Sequence, residues 1–151
     1  MIAGYVAVAI LIHFVGIALG KLIYNPAVSV SIPQMIAASL ILIIVSLWQI
    51  PFCLFLAKKF GLMTTILLNL GGGTVLNILT VSKSVWWICP YSWAARLMCP
   101  VLGILPNGTL APYGDALLNS GVIPIGIALS IALFAVLLAV TANWFSKQEV
   151  K

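Results

Sequence analysis

Four stretches of this chain, residues 1–20, 34–57, 61–81 and 121–145, contain no aspartate, glutamate, lysine or arginine. A helix rises about 1.5 Å per residue, so each stretch is long enough to cross a hydrocarbon core of roughly 30 Å. Charged residues make up 6% of the sequence, against about a quarter in an ordinary soluble domain. Such a chain has too little to cover a surface in water. The sequence therefore predicts an all-α integral membrane protein with a single transmembrane domain over residues 1–151. The formal charge of +5 is no sign of nucleic-acid binding. The seven basic residues sit at the ends of apolar runs or in the loops between them, where topology determinants sit.

The first predicted span, residues 1–20, holds His13 and is closed by Lys21. It lacks the positive leader and cleavage site of a signal peptide, so it reads as a retained span. Asn25-Pro26 turns the chain and Ser31-Ile32-Pro33 prepares the next helix. The second span, 34–57, carries Pro51, which removes a backbone hydrogen bond and predicts a kink, with Gln49 near the freed carbonyl. Lys58 and Lys59 follow at once. The third span, 61–81, has Asn69, Gly71, Gly72, Gly73 and Asn77 at its centre. The asparagines are two turns apart and are expected to face protein rather than lipid. The glycines weaken a helix but permit close approach between helices. The last span, 121–145, ends on Trp144-Phe145 before a polar tail. Short loops dominate topology, so the tight Lys58-Lys59 turn is expected in the cytoplasm, together with both termini.

The segment between the last two spans, about residues 84–108, is apolar yet broken by Pro90, Pro100, Gly103, Pro106 and Gly108. It holds Trp86, Trp87, Trp93 and Arg96. Two readings fit: an amphipathic loop with tryptophans at headgroup level, or an extracellular re-entrant helical hairpin, which its length and apolarity favour. In the second, Pro90 starts a short helix over residues 91–98, Pro100 interrupts or restarts it, and residues 103–108 form the exit turn. The hairpin must then be covered by protein. Trp86, Trp87, Trp93 and Asn107 are candidates to face a substrate; Arg96, Asn69, Gly71, Gly72, Gly73 and Asn77 are candidates for structure or gating. Arg96 reads as structural, either as an interfacial anchor or as a partner for Asp115.

Other signals carry less. Asn107-Gly108-Thr109 fits a glycosylation sequon but is better explained as a turn. Gly71-Gly72-Gly73 lacks the Gly-Lys-Ser/Thr of a phosphate loop. Cys53, Cys89 and Cys99 do not pattern as a metal site; free thiols are expected, with a Cys89–Cys99 disulfide as the alternative. His13 is expected neutral, bonded to a neighbouring helix. One histidine and two acidic residues leave almost no candidates for acid–base catalysis, so no enzymatic role or bound cofactor is expected on this chain.

Residues 91–108 resemble the external segment of permease subunits in lantibiotic-immunity ABC transporters. The likeness rests on Trp93, Arg96-Leu97-Met98, Pro100, Leu102-Gly103-Ile104 and Pro106-Asn107-Gly108, with a Gly/Asn-bearing span before and a strongly apolar span after. The resemblance implies the last four spans of a six-span ABC-2 permease in a bacterial cell membrane. The first two spans and the coupling helix between spans two and three of the family then lie outside this sequence. It also implies a second permease subunit and a cytoplasmic ATPase carrying ATP and Mg. The substrate would be a cationic antimicrobial peptide expelled from the lipid bilayer. The alternatives are an ABC-2 exporter of a bacitracin-like peptide or lipid-linked glycan, and a non-transporting membrane protein or gene fragment. Under the exposed-hairpin reading, Trp93→Ala reduces immunity while leaving membrane levels unchanged.

Overall fold

The computed structural model describes Val15 and residues 31–149. The first predicted span and His13 lie outside the described residues. The rest forms helices: α1 (Ile32–Ser46), α2 (Gln49–Phe60), α3 (Leu62–Thr80), α4 (Pro90–Leu102) and α5 (Val122–Glu149), with 3-10 turns at Trp86–Ile88 and Ala116–Leu118. Among the described residues three helices are long and apolar enough to cross a membrane: Ile32–Phe60, which joins α1 and α2, then Leu62–Thr80, and Val122–Lys147.

Local chemistry sets these boundaries. Ser31 opens α1 with a capping box: its hydroxyl accepts from the Gln34 amide, and the Gln34 side chain accepts from the Ser31 N–H at 2.9 Å. The helix therefore starts before residue 34 and runs past the lysines to Phe60. The break falls at Leu47 and Trp48, one turn ahead of Pro51, whose ring excludes the Leu47 carbonyl from normal helix bonding. That carbonyl accepts from the Ile50 N–H at 3.1 Å, while Gln49 is exposed. Gly61, at φ 88°, joins α2 to α3 in a single residue because it alone tolerates that conformation. The predicted polar tail after residue 145 is partly helix, since α5 continues to Glu149.

The core is built on the broken segment. Trp86, Trp93, Leu97 and Met98 cluster with Ala38, Val45 and Trp48 of the first long helix and with Val122 of α5. Helix α4 contacts α1, α3 and α5. The long helices, by contrast, are apolar on the outside. Thr65 is the one buried residue of α3, and Leu62, Met63, Leu67, Leu70 and Ile78 face outward. Scattered exposed apolar residues are ordinary, but a whole helix of them suits lipid.

The buried polar residues follow the rule for a bundle without water. Among the described residues Ser39, Thr65, Ser92, Arg96, Ser130 and Thr141 are the buried polar or charged residues, and each donates to a backbone carbonyl; the buried atoms without a partner there are Trp48 Nε1 and Asn77 Oδ1. Thr141 reaches across from α5 to the Pro51 carbonyl at 3.4 Å, tying the two helices at the kink.

Candidate functional site

Pro90 occupies the first turn of α4, where its missing N–H costs nothing. The helix then runs straight through Pro100 to Leu102, rather than being interrupted there. Pro100 stands only two residues from the helix end, so it disturbs little more than one turn. Gly103, left-handed at φ 69°, closes the helix, and its N–H donates to the Cys99 carbonyl at 2.9 Å. Beyond it, residues 103–111 fold into a small loop closed by Leu105–Thr109 and Ala111–Gly103 backbone bonds. Asn107 Oδ1 accepts from the N–H and hydroxyl of Thr109, so the sequon triplet is a turn.

The tryptophans divide. Trp93 is 3% exposed and Trp86 is 8% exposed, whereas Trp87 is 50% exposed. Two of the three candidate substrate-facing tryptophans are therefore core residues. Trp93 Nε1 donates to the Trp87 carbonyl at 3.1 Å, and Ser92 holds the carbonyls of Trp86 and Cys89. The segment folds back on itself and hides two of its three indole rings.

Arg96 is buried and is not paired with Asp115. Its guanidinium donates to the carbonyls of Leu117 at 2.5 Å and Ala116 at 3.4 Å, and lies 5.9 Å from the centre of the Trp86 ring. Asp115 instead caps the same turn, Oδ1 accepting from the Leu117 N–H at 2.8 Å. Arg96 thus fastens the connection into α5 to the buried helix. A lysine presents a compact charge without the planar fork. Arg96→Lys is expected to lose one of these charged hydrogen bonds, about 1.5–3 kcal/mol, and to expose residues 112–121 to protease. Unchanged cleavage there would show that the clamp holds nothing.

The glycines and asparagines of α3 do separate jobs. Gly72 and Gly73 pack on the ring of Tyr91, with Cβ positions 3.6 and 3.5 Å from it; Gly71 has nothing within 4 Å. The glycines accommodate a side chain rather than another backbone. Asn69 joins three elements: its Nδ2 lies 3.4 Å from Cys53 Sγ and 2.9 Å from the Thr65 carbonyl, and its Oδ1 lies 3.5 Å from the Tyr91 hydroxyl. Tyr91 also meets Trp48 edge-on at 5.1 Å. Tyr91 escaped the sequence analysis because an aromatic in an apolar segment reads as an interfacial anchor.

Asn77 belongs to a cleft. Between the end of α3 and the loops after α4 lies a cavity of about 430 Å³, lined by residues that include Asn77, Ser82, Pro106, Asn107, Asp115 and Leu117. Asn77 Oδ1 is enclosed and has no hydrogen-bond partner among the described residues. The volume is that of a small-ligand site. Sequence reasoning picked out Asn77 and Asn107 but not Ser82, and saw Asp115 only as a partner for Arg96. All three cysteines are free thiols, and among the described residues no group of three His, Cys, Asp or Glu side chains could hold a metal.

At the opposite end of the long helices, Phe55 meets Trp144 at 5.2 Å and Lys59 lies over Phe55 and Phe60. Lys58, Lys59 and Lys147 thus lie in the last turns of α2 and α5. No family model, curated protein or solved structure matches this chain.

Proposed function

We propose that this chain is a permease subunit of an ABC-2 exporter that expels a lantibiotic or related antimicrobial peptide from the membrane and protects the cell making it. One observation carries this reading: the residues of the resembling motif share a single buried helix and its exit loop. Arg96 clamps the following turn, Leu97 fills the core, Gly103 ends the helix and Asn107-Gly108 turn the loop. A motif with several members fixing one local structure is a better family signature than scattered matches.

In this reading α4 is a re-entrant element entering the membrane from outside, residues 1–20 provide the first of four spans, and the lysines of α2 and α5 mark the cytoplasmic side. ATP hydrolysis falls to a separate cytoplasmic subunit, and a second permease subunit completes the pore. Among the candidate aromatics, Trp87 is the one exposed to meet an arriving amphipathic peptide.

The test is to look for an ATPase gene and a second permease gene beside this one, whose absence would count against the reading, and to co-express the three in a sensitive host. The expected outcome is a raised inhibitory concentration of the cognate lantibiotic that disappears when the ATPase nucleotide site is disabled. Protection that survives that change, or no protection with all subunits in the membrane, would sink the exporter reading.

A further inference from the structure

We infer that the cleft between α3 and the loops after α4 is a binding site for a primary ammonium group of a peptide, with Asp115 and Asn77 as its acceptors. The peptide as the source of that group rests on the exporter reading; the site itself rests on the cleft.

The lining favours a hydrogen-bond donor. Asn77 lines the cleft; its Oδ1 is enclosed and has no partner among the described residues, and a flip of the amide about its last side-chain bond would exchange that oxygen with Nδ2. Buried acceptors are rarely left unmet, and an exception calls for a missing partner. Asp115 uses Oδ1 for the Leu117 N–H, which leaves its second oxygen for a ligand. Asp115 is also the one charged residue of the lining. The nearby cations do not reverse this. Arg96 is committed to two carbonyls on the α4 side of the turn, and neither it nor Lys83 lines the cavity. An ammonium has three donors and no acceptor, which suits the free Asp115 oxygen and, after that flip, the Asn77 oxygen. A cavity of about 430 Å³ is large enough to admit a lysine side chain.

Asp115→Asn tests the charge cleanly, because an amide oxygen still caps Leu117. Asn77→Leu removes the other acceptor and a buried polar group with it. The full chain is placed in nanodiscs whose lipid, phosphatidylcholine, has no primary amine, and maleimide alkylation at position 82 of a Ser82→Cys variant is followed by peptide mapping, which separates it from the free thiols Cys53, Cys89 and Cys99. Trilysine amide is expected to slow alkylation at least threefold, and its fully acetylated counterpart is expected to leave it unchanged. Asp115→Asn abolishes the protection. Asn77→Leu weakens it several-fold while raising the thermal midpoint, which a merely structural asparagine would not do.

Equal protection by the acetylated peptide, or protection that persists in Asp115→Asn, overturns the proposal. Should Asp115→Asn fold poorly, the comparison of the two peptides on the unaltered Asp115 background still decides it. The assay needs neither ATPase nor killing. A chain that binds but never protects a cell loses the exporter reading and keeps the site; a chain that protects without binding does the reverse.

Discussion

Trp93→Ala is expected to remove most of the folded protein from the membrane. Trp93 is 3% exposed, packs in the central cluster and donates to the Trp87 carbonyl. Truncating a buried tryptophan costs about 3–5 kcal/mol, a large share of the roughly 5–15 kcal/mol that holds a typical domain together. The loss should appear as a lower thermal midpoint in detergent and a lower level in membranes. Trp87→Ala serves as the internal contrast. Its ring is half-exposed, so its stability should change by no more than about 0.5 kcal/mol, and any loss of protection would then report on function. Normal levels of Trp93→Ala with impaired protection would reverse this assignment and return Trp93 to a substrate-facing role.

A second large effect is expected where α4 meets α5. A Cβ added at Gly126 would lie 2.6 Å from Leu97 Cδ1, 2.8 Å from Cδ2 and 3.2 Å from Cγ. Leu97 is fully buried, so the side chain has nowhere to retreat. Gly126→Ala gains roughly 0.5–1 kcal/mol of helix propensity, but overpacking a tight core costs about 1–3 kcal/mol. The clash wins, and the helix should dock less firmly. Leu97→Ala alone leaves a cavity and costs about 2–5 kcal/mol. In combination the two should cost less than their sum, because each relieves what the other creates. Thermal midpoints of the four species form the cycle; strict additivity would mean that the two residues do not touch.

Much of the fold was legible because the bilayer imposes one requirement on long stretches of sequence. Among the described residues the uncharged runs became helices: the ends of 61–81 moved by one residue each, to Leu62–Thr80, and 121–145 began one residue later and ran four further, to Glu149. The boundary at residue 34 moved because a capping box, Ser31 with Gln34, operates one turn ahead of the apolar run. The kink at Pro51 followed from the proline itself. What stayed hidden was which side of each residue faces protein. Trp86, Trp87 and Trp93 look alike in a list, but hydrogen bonds from Ser92 and Trp93 bury two rings and leave one out. Arg96 invited pairing with Asp115, a contact between opposite charges. Two carbonyls took the guanidinium instead, since an interrupted chain frees acceptors that no sequence pattern displays. The cleft was partly visible: Asn77 and Asn107 stood out as polar residues in apolar company. Their meeting with Ser82 and Asp115 depends on how the loop after α4 closes.

The order in which the chain emerges during synthesis sets a constraint on its biogenesis. Helix α4 leaves the ribosome before α5, yet α5 supplies Val122 and Gly126 against it, and Arg96 is anchored only once residues 116 and 117 have arrived. Until then, the part of the chain with the most to hide is without one wall of its enclosure. The nascent protein must therefore hold this helix in an unfinished pocket, or shield it with an assembly factor, until translation delivers α5. A chain arrested before Val122 would present that uncovered surface to membrane quality-control proteases, and its rapid turnover would mark the arrival of α5 as the step that commits this part of the protein to its fold.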